Sequence, residues 1–187
     1  MNLLLRFGAV FGVISGLLLG IPGAVEIFTG ETLLTSILIG LAPALAAPLV
    51  TALYVAHLGN TDRPAGLGYA VNLIGLGLFG AVAFALNIVL FPLGPDVMLA
   101  APSRIIALAG AAVYIVGTIW FAIGMLRARV HPRPAIVLYL VAMPLFPVIA
   151  QLPDNPLTAS NHVVAAVALV WLGLSLRRHT PAPAIVR

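Results

Sequence analysis

Met125-Leu126-Arg127-Ala128-Arg129-Val130-His131-Pro132-Arg133-Pro134 separates two long apolar runs and holds three of the chain's nine arginines. An apolar run of ~20 residues suits the hydrocarbon core of a bilayer. Arginines in a short loop keep that loop on the cytoplasmic side. The stretch therefore reads as a cytoplasmic connection between two membrane spans.

The same arrangement recurs outward from it. Arg6 precedes the first apolar run, Arg63 follows the second, and Arg177, Arg178 and Arg187 follow the last. Only Arg104 stands at the opposite set of ends. This spacing predicts spans at 7–28, 33–57, 67–91, 105–126, 135–152 and 158–176. The expected fold is all-α: a polytopic transmembrane bundle of six helices as three hairpins, with N and C termini cytoplasmic. Residues 1–178 form one domain, and the Thr-Pro-Ala-Pro-Ala stretch within 179–187 reads as a disordered tail. The first run is too long for a signal peptide's apolar segment and has only one leading arginine, so it reads as a retained span.

Composition excludes much else. The 187 residues are 62% hydrophobic and only 7% charged, with a mean hydropathy of +1.16. A soluble domain carries about 25% charged residues. Without cysteine there are no disulfides or thiolate metal sites. Without lysine there is no Schiff base. The pI of 10.4 reflects arginines retained on one side of the membrane, with no basic surface interleaved with aromatics, so no nucleic-acid partner is expected. The expected partners are membrane lipids, a small apolar ligand, and a second copy or another membrane protein. No cofactor or metal is expected.

Small residues mark the packing. Gly8, Gly12, Gly16 and Gly20 recur every four residues, as do Ser36, Gly40, Ala44, Pro48, Ala52 and Ala56. Such stripes let helix backbones approach closely, and each stripe is the natural partner of the other. Gly110, Gly117 and Gly124 recur every seven. Prolines interrupt the second span at 43 and 48 and the fifth at 144 and 147, each freeing a carbonyl. Arg63-Pro64-Ala65 with Tyr69, and Arg133-Pro134-Ala135 with Tyr139, repeat one phrase at an offset of 70 residues. A degenerate repeat and a shared interfacial preference both account for it.

The acids Glu26, Glu31, Asp96 and Asp154 fall at the ends opposite the arginines, while Asp62 lies beside Arg63. Arg104, Asn87, Gln151 and His162 approach the level of Glu26. An outward polar pocket of Glu26, Asn87, Arg104, Gln151 and His162 is therefore the candidate ligand site, against the plainer reading of unrelated interfacial residues. Asn72 and Asn87 are expected to hydrogen-bond across helices. His57, His131 and His179 sit at the arginine ends, with no pair inside the apolar runs for haem. Ser15, in Gly12-Val13-Ile14-Ser15-Gly16, reads as a packing residue, because Val13 replaces the glycine that a rhomboid-type nucleophile motif needs.

The loop from Trp120 to Pro134, and the closing Trp171-Leu172-Gly173-Leu174-Ser175-Leu176-Arg177-Arg178, resemble those of uncharacterised six-helix bacterial integral membrane proteins. The resemblance implies architecture and a multi-pass place in the bacterial inner membrane, and brings no activity. The leading expectation is a non-enzymatic module binding an apolar or lipid-like ligand, or a partner protein. The alternatives are an intramembrane enzyme acting on a lipid or isoprenoid, with Glu26 and His162 as acid and base, and a proton-coupled carrier using Glu26 and the broken second and fifth helices.

Overall fold

A computed structural model describes residues 2–60, 63–94, 99–149 and 155–177, and is all-helical there. The helices are α1 (Asn2–Thr29), α2 (Leu33–Ala56), α3 (Arg63–Phe84), α4 (Ala101–Ala128), α5 (Arg133–Ile149) and α6 (Pro156–Arg177). A π-helical turn, Ala85–Leu90, and a short 3-10 turn, Phe91–Leu93, continue α3. Five of the six helices are long and apolar enough to cross a membrane. The fifth in sequence, α5, has 17 residues and reaches about 26 Å.

Side-chain caps mark the starts of α2 and α6. Thr32 caps α2 in a reciprocal bond with Thr35. Asn155 Oδ1 accepts from the Leu157 and Thr158 N–H groups at 2.9 and 3.2 Å. The two Arg-Pro phrases lie inside helices as first turns, where proline lacks nothing the helix needs. Arg129 closes α4 in the left-handed conformation, φ 56°, returning its N–H to Met125.

Each helix packs on its neighbours in sequence, and α1 closes the ring against α6, its most extensive partner. The glycine stripe of α1 therefore serves two helices. A Cβ on Gly8 or Gly12 would strike Ala52 or Leu49 of α2, whereas on Gly16 or Gly20 it would strike Val170 or Ala166 of α6. At about 100° per residue, a four-residue stride drifts about 40° around the helix. Over three strides the stripe turns from α2 to α6.

Among the glycines, the closest approach to another helix's backbone is between α3 and α4. A Cβ on Gly117 would strike the Asn72 backbone nitrogen, and one on Gly75 would strike the Tyr114 Cα. Gly110, Gly117 and Gly124 thus all face α3, against Leu78, Asn72 and Ala65.

The core beside them is polar in one place. Thr118 Oγ1 donates to Asn72 Oδ1 at 2.9 Å, and Asn72 Nδ2 donates to the Tyr139 hydroxyl at 3.1 Å. One buried amide thus links α3, α4 and α5, as expected of Asn72. Around the prolines of α2 the interior is filled by Ala42, Ala46, Leu49 and Val50, all buried. Donors also reach carbonyls beside helix-interior prolines. Ser15 Oγ donates to the Ala42 carbonyl at 2.8 Å, and Asn161 Nδ2 donates to the Ala142 carbonyl at 3.1 Å.

The glycine contacts give a direct test of packing. Gly117→Ala must push two backbones apart and should destabilise the protein by about 1–3 kcal/mol. Gly77, with nothing within 4 Å of its would-be Cβ, should accept alanine without loss. Thermal midpoints of the two variants in one detergent compare them.

Candidate functional site

The ends of the helices differ in chemistry. Arg6, His57, Arg127, His131 and Arg177 mark one end, and Glu26, Glu31, Asn87, Asn155 and His162 mark the other. We refer to them as the arginine end and the acid end.

At the acid end, Glu26 and Glu31 line one small concavity of about 170 Å³ with Asn155 and Thr158. Asn87 reaches this region through Ser36. The Ser36 hydroxyl lies 2.6 Å from Glu31 Oε1, 3.0 Å from the Asn87 carbonyl oxygen and 3.2 Å from Asn87 Oδ1. The cause is local to α3. In the π-helical turn the Phe91 N–H bonds the Leu86 carbonyl. The next carbonyl, that of Asn87, would take its bond from residue 92, which is proline and has no N–H. Its helical donor is missing, and Ser36 of α2 stands in that place. Gly40, one turn on, allows the approach, since a Cβ there would lie 3.0 Å from Asn87 Cβ.

The other expected residues are placed differently. His162 lies on the same α1–α6 seam as Glu26, with its Cβ against Gly23. Its Nδ1 is 3.2 Å from the Thr158 carbonyl, and its ring packs edge-on against Phe146 at 5.1 Å. His162 does not line the concavity that Glu26 lines. Arg104 is exposed on the first turn of α4, a helix that packs on α3 and α5 rather than α1. Gln151, Asp96 and Asp154 lie outside the described residues.

Sequence reasoning did not assign Glu31 or Ser36 to the site. Ser36 was submerged in a stripe of small residues. The signal that finds it is Pro92, five residues after Asn87.

A second concavity, of about 800 Å³, opens along α1 and α6. It is bounded by Gly16, Gly20 and Ala24 of α1 and by Val163, Val167 and Trp171 of α6, and every lining residue is glycine, aliphatic or aromatic. From Gly16 to Phe28 it runs about 18 Å along α1, comparable to one leaflet's share of a hydrocarbon core of about 30 Å. Its upper end at Val25 and Phe28 adjoins Glu26 and Ile27 of the polar concavity.

The arginine end has its own buried cluster. The His57 ring lies 5.8 Å from that of His131 and 5.9 Å from that of Phe121, and Tyr54 meets it edge-on at 5.7 Å. Neither His57 ring nitrogen has a hydrogen-bond partner of good geometry. His131 Nε2 donates to the Leu53 carbonyl at 3.3 Å, and Ser175 Oγ lies 3.3 Å from Nδ1. Among the described residues no three His, Asp or Glu gather to hold a metal.

Burial holds the pKa of His57 below the ordinary 6.5, with the Leu53 carbonyl offsetting this in part. The unfolded chain then binds the proton more readily than the folded one. Stability from this group is complete above pH 6.5 and is lost as the pH falls from there towards the folded value. Lowering the pH from about 7.5 to about 5.5 should reduce the thermal midpoint, and His57→Asn should flatten that slope. An unchanged slope would assign the acid sensitivity elsewhere.

Compared with known protein families, curated proteins and solved structures, this chain matches none.

Proposed function

We propose that the chain is a multi-pass protein of the bacterial inner membrane that binds a lipid-like amphiphile along α1 and α6. In this reading all six helices span as three hairpins, both termini are cytoplasmic, and the acid end faces outward. The distribution of arginines supports that orientation. α5 crosses despite its length, because a short span is accommodated by local thinning of the bilayer at modest cost.

The observation that carries the ligand is the groove. A concavity of about 800 Å³ with a wholly apolar lining falls in the size range of ligand sites. It is long enough for an acyl chain, and it ends beside carboxylates. An amphiphile with an ammonium head group fits both parts: its chain in the groove, its head against Glu26. Binding would not require chemistry.

Native mass spectrometry after reconstitution in mixed phosphatidylethanolamine and phosphatidylglycerol tests this. One phosphatidylethanolamine should stay bound. Ala24→Phe, which fills the groove from an exposed position, should remove most of it, and Glu26→Gln should erase the head-group preference while keeping a lipid. If no lipid is retained, or if Ala24→Phe instead dissociates a dimer, the groove is not a lipid site.

A further inference from the structure

We propose that His57 is a proton-operated latch at the arginine end: its neutral ring closes the junction between α2 and the α4–α5 connection, and its protonated ring must leave, opening that junction. The inference does not depend on the lipid site. It rests on what surrounds the ring. His57 ends α2, and its side chain is fully buried. Phe121 of α4 and Tyr54 of α2 meet it with rings, and neither of its nitrogens has a hydrogen-bond partner of good geometry. A phenylalanine or leucine would fill such a site without burying unanswered polar atoms. What a histidine adds there is the capacity to take up a proton near neutral pH.

The junction is held by a second histidine. At the end of α2 the His57 backbone N–H turns to the Tyr54 carbonyl at 3.2 Å, so the Leu53 carbonyl lacks the helical donor four residues on. His131, in the connection between α4 and α5, donates to it through Nε2 at 3.3 Å. Ser175 of α6 lies 3.3 Å from the other nitrogen of His131 and donates to the Leu172 carbonyl at 2.7 Å. His131 thus clasps α2, α6 and the α4–α5 connection together, with its ring 5.8 Å from that of His57.

A protonated His57 carries two N–H donors. The acceptor at hand is the Leu53 carbonyl, which faces His57 too and already accepts from His131. Even when that carbonyl is shared, one N–H stays unanswered among the described residues. Nor is there a counter-ion. His131 faces the ring from the α4–α5 connection and Tyr54 from α2, while Phe121 of α4 carries no charge. The arginines described at this end, Arg6, Arg127, Arg129, Arg133 and Arg177, are all exposed and all positive. Asp62 and the Arg63 side chain lie outside the described residues. A buried imidazolium short of an acceptor and without an anion moves to water. Leu58 and Gly59, next in the chain, are already exposed. The ring that leaves takes with it the packing against His131, and the clasp on the Leu53 carbonyl opens.

The test uses the full chain in phosphatidylcholine nanodiscs. Spin labels at Gly59→Cys and Arg133→Cys flank the junction, and a second sample carries them at Thr29→Cys and Leu157→Cys across the acid end, all exposed positions. Distances between the labels are compared at about pH 7.5 and about pH 5.5. With an ordinary histidine value of about 6.5 once the ring is in water, the ratio of open to closed junctions should rise about tenfold over that interval, and fall back when the pH is restored. The acid-end distance should stay constant. His57→Phe, which keeps a ring but has no site for the proton, should stay closed at both pH values. Hydrogen exchange of the unlabelled protein keeps the test decisive if a variant fails to fold: residues 53–58 should lose protection at the lower pH, after correction for intrinsic rates. A junction that does not change with pH would overturn the proposal. So would opening that persists in His57→Phe, since another group then takes the proton. Loosening of both ends together would also overturn it, because that is general unfolding in acid.

Discussion

In hydrocarbon a carbonyl without a donor has no water to turn to, and each such group costs several kcal/mol. This constraint organises the whole bundle. It demands helices throughout, and a proline inside a helix can leave a carbonyl without its donor. Ser15 and Asn161 add donors to the Ala42 and Ala142 carbonyls, although Ala46 and Phe146, four residues on, still carry N–H groups. At Pro92 the case is different. The chain slips into a π turn, and the Asn87 carbonyl faces Ser36 of another helix, with Glu31 beyond it. The one irregular stretch of α3 and the chain's polar convergence are thus a single feature with a single cause.

Packing follows from the same solvent. Lipid offers helices no hydrophobic reason to associate, so they gain by close approach of their backbones. Glycines supply it at Gly75 and Gly117 between α3 and α4, and along α1. Because α1 gives Gly8 and Gly12 to α2 and Gly16 and Gly20 to α6, one side of it is left with the hollow bounded by Gly16, Gly20 and Ala24. The groove is the consequence of a stripe that turns as it rises.

The sequence makes the membrane class, the helices and the polar character of the acid end legible, because charge and hydropathy are one-dimensional signals. The roles of Asn72 and of Gly110, Gly117 and Gly124 are legible too, since polar and small residues in lipid have few uses besides packing against another helix. Partner choice is less so. A four-residue glycine stripe looks like one face when written as a line, but its drift divides it between two neighbours. The membership of the site is also hidden. The His162 ring packs on Phe146, and Arg104 stands on a helix that packs on α3 and α5 rather than α1. Depth can be counted along a sequence, but azimuth around the bundle cannot. Ser36 and Glu31 become visible only when Pro92 is read for the donor it lacks.

The central claim is that the acid end, with its polar concavity, faces outward while the arginine end stays in the cytoplasm. The absence of native cysteine makes this directly measurable by single-cysteine labelling. Thr29→Cys reports the acid end, and Gly59→Cys reports the arginine end, at a position with nothing within 4 Å of its would-be Cβ. A membrane-impermeant maleimide added to intact spheroplasts should label Thr29→Cys, and should reach Gly59→Cys only after lysis. Labelling of Gly59→Cys in intact cells, with Thr29→Cys protected, would contradict the account.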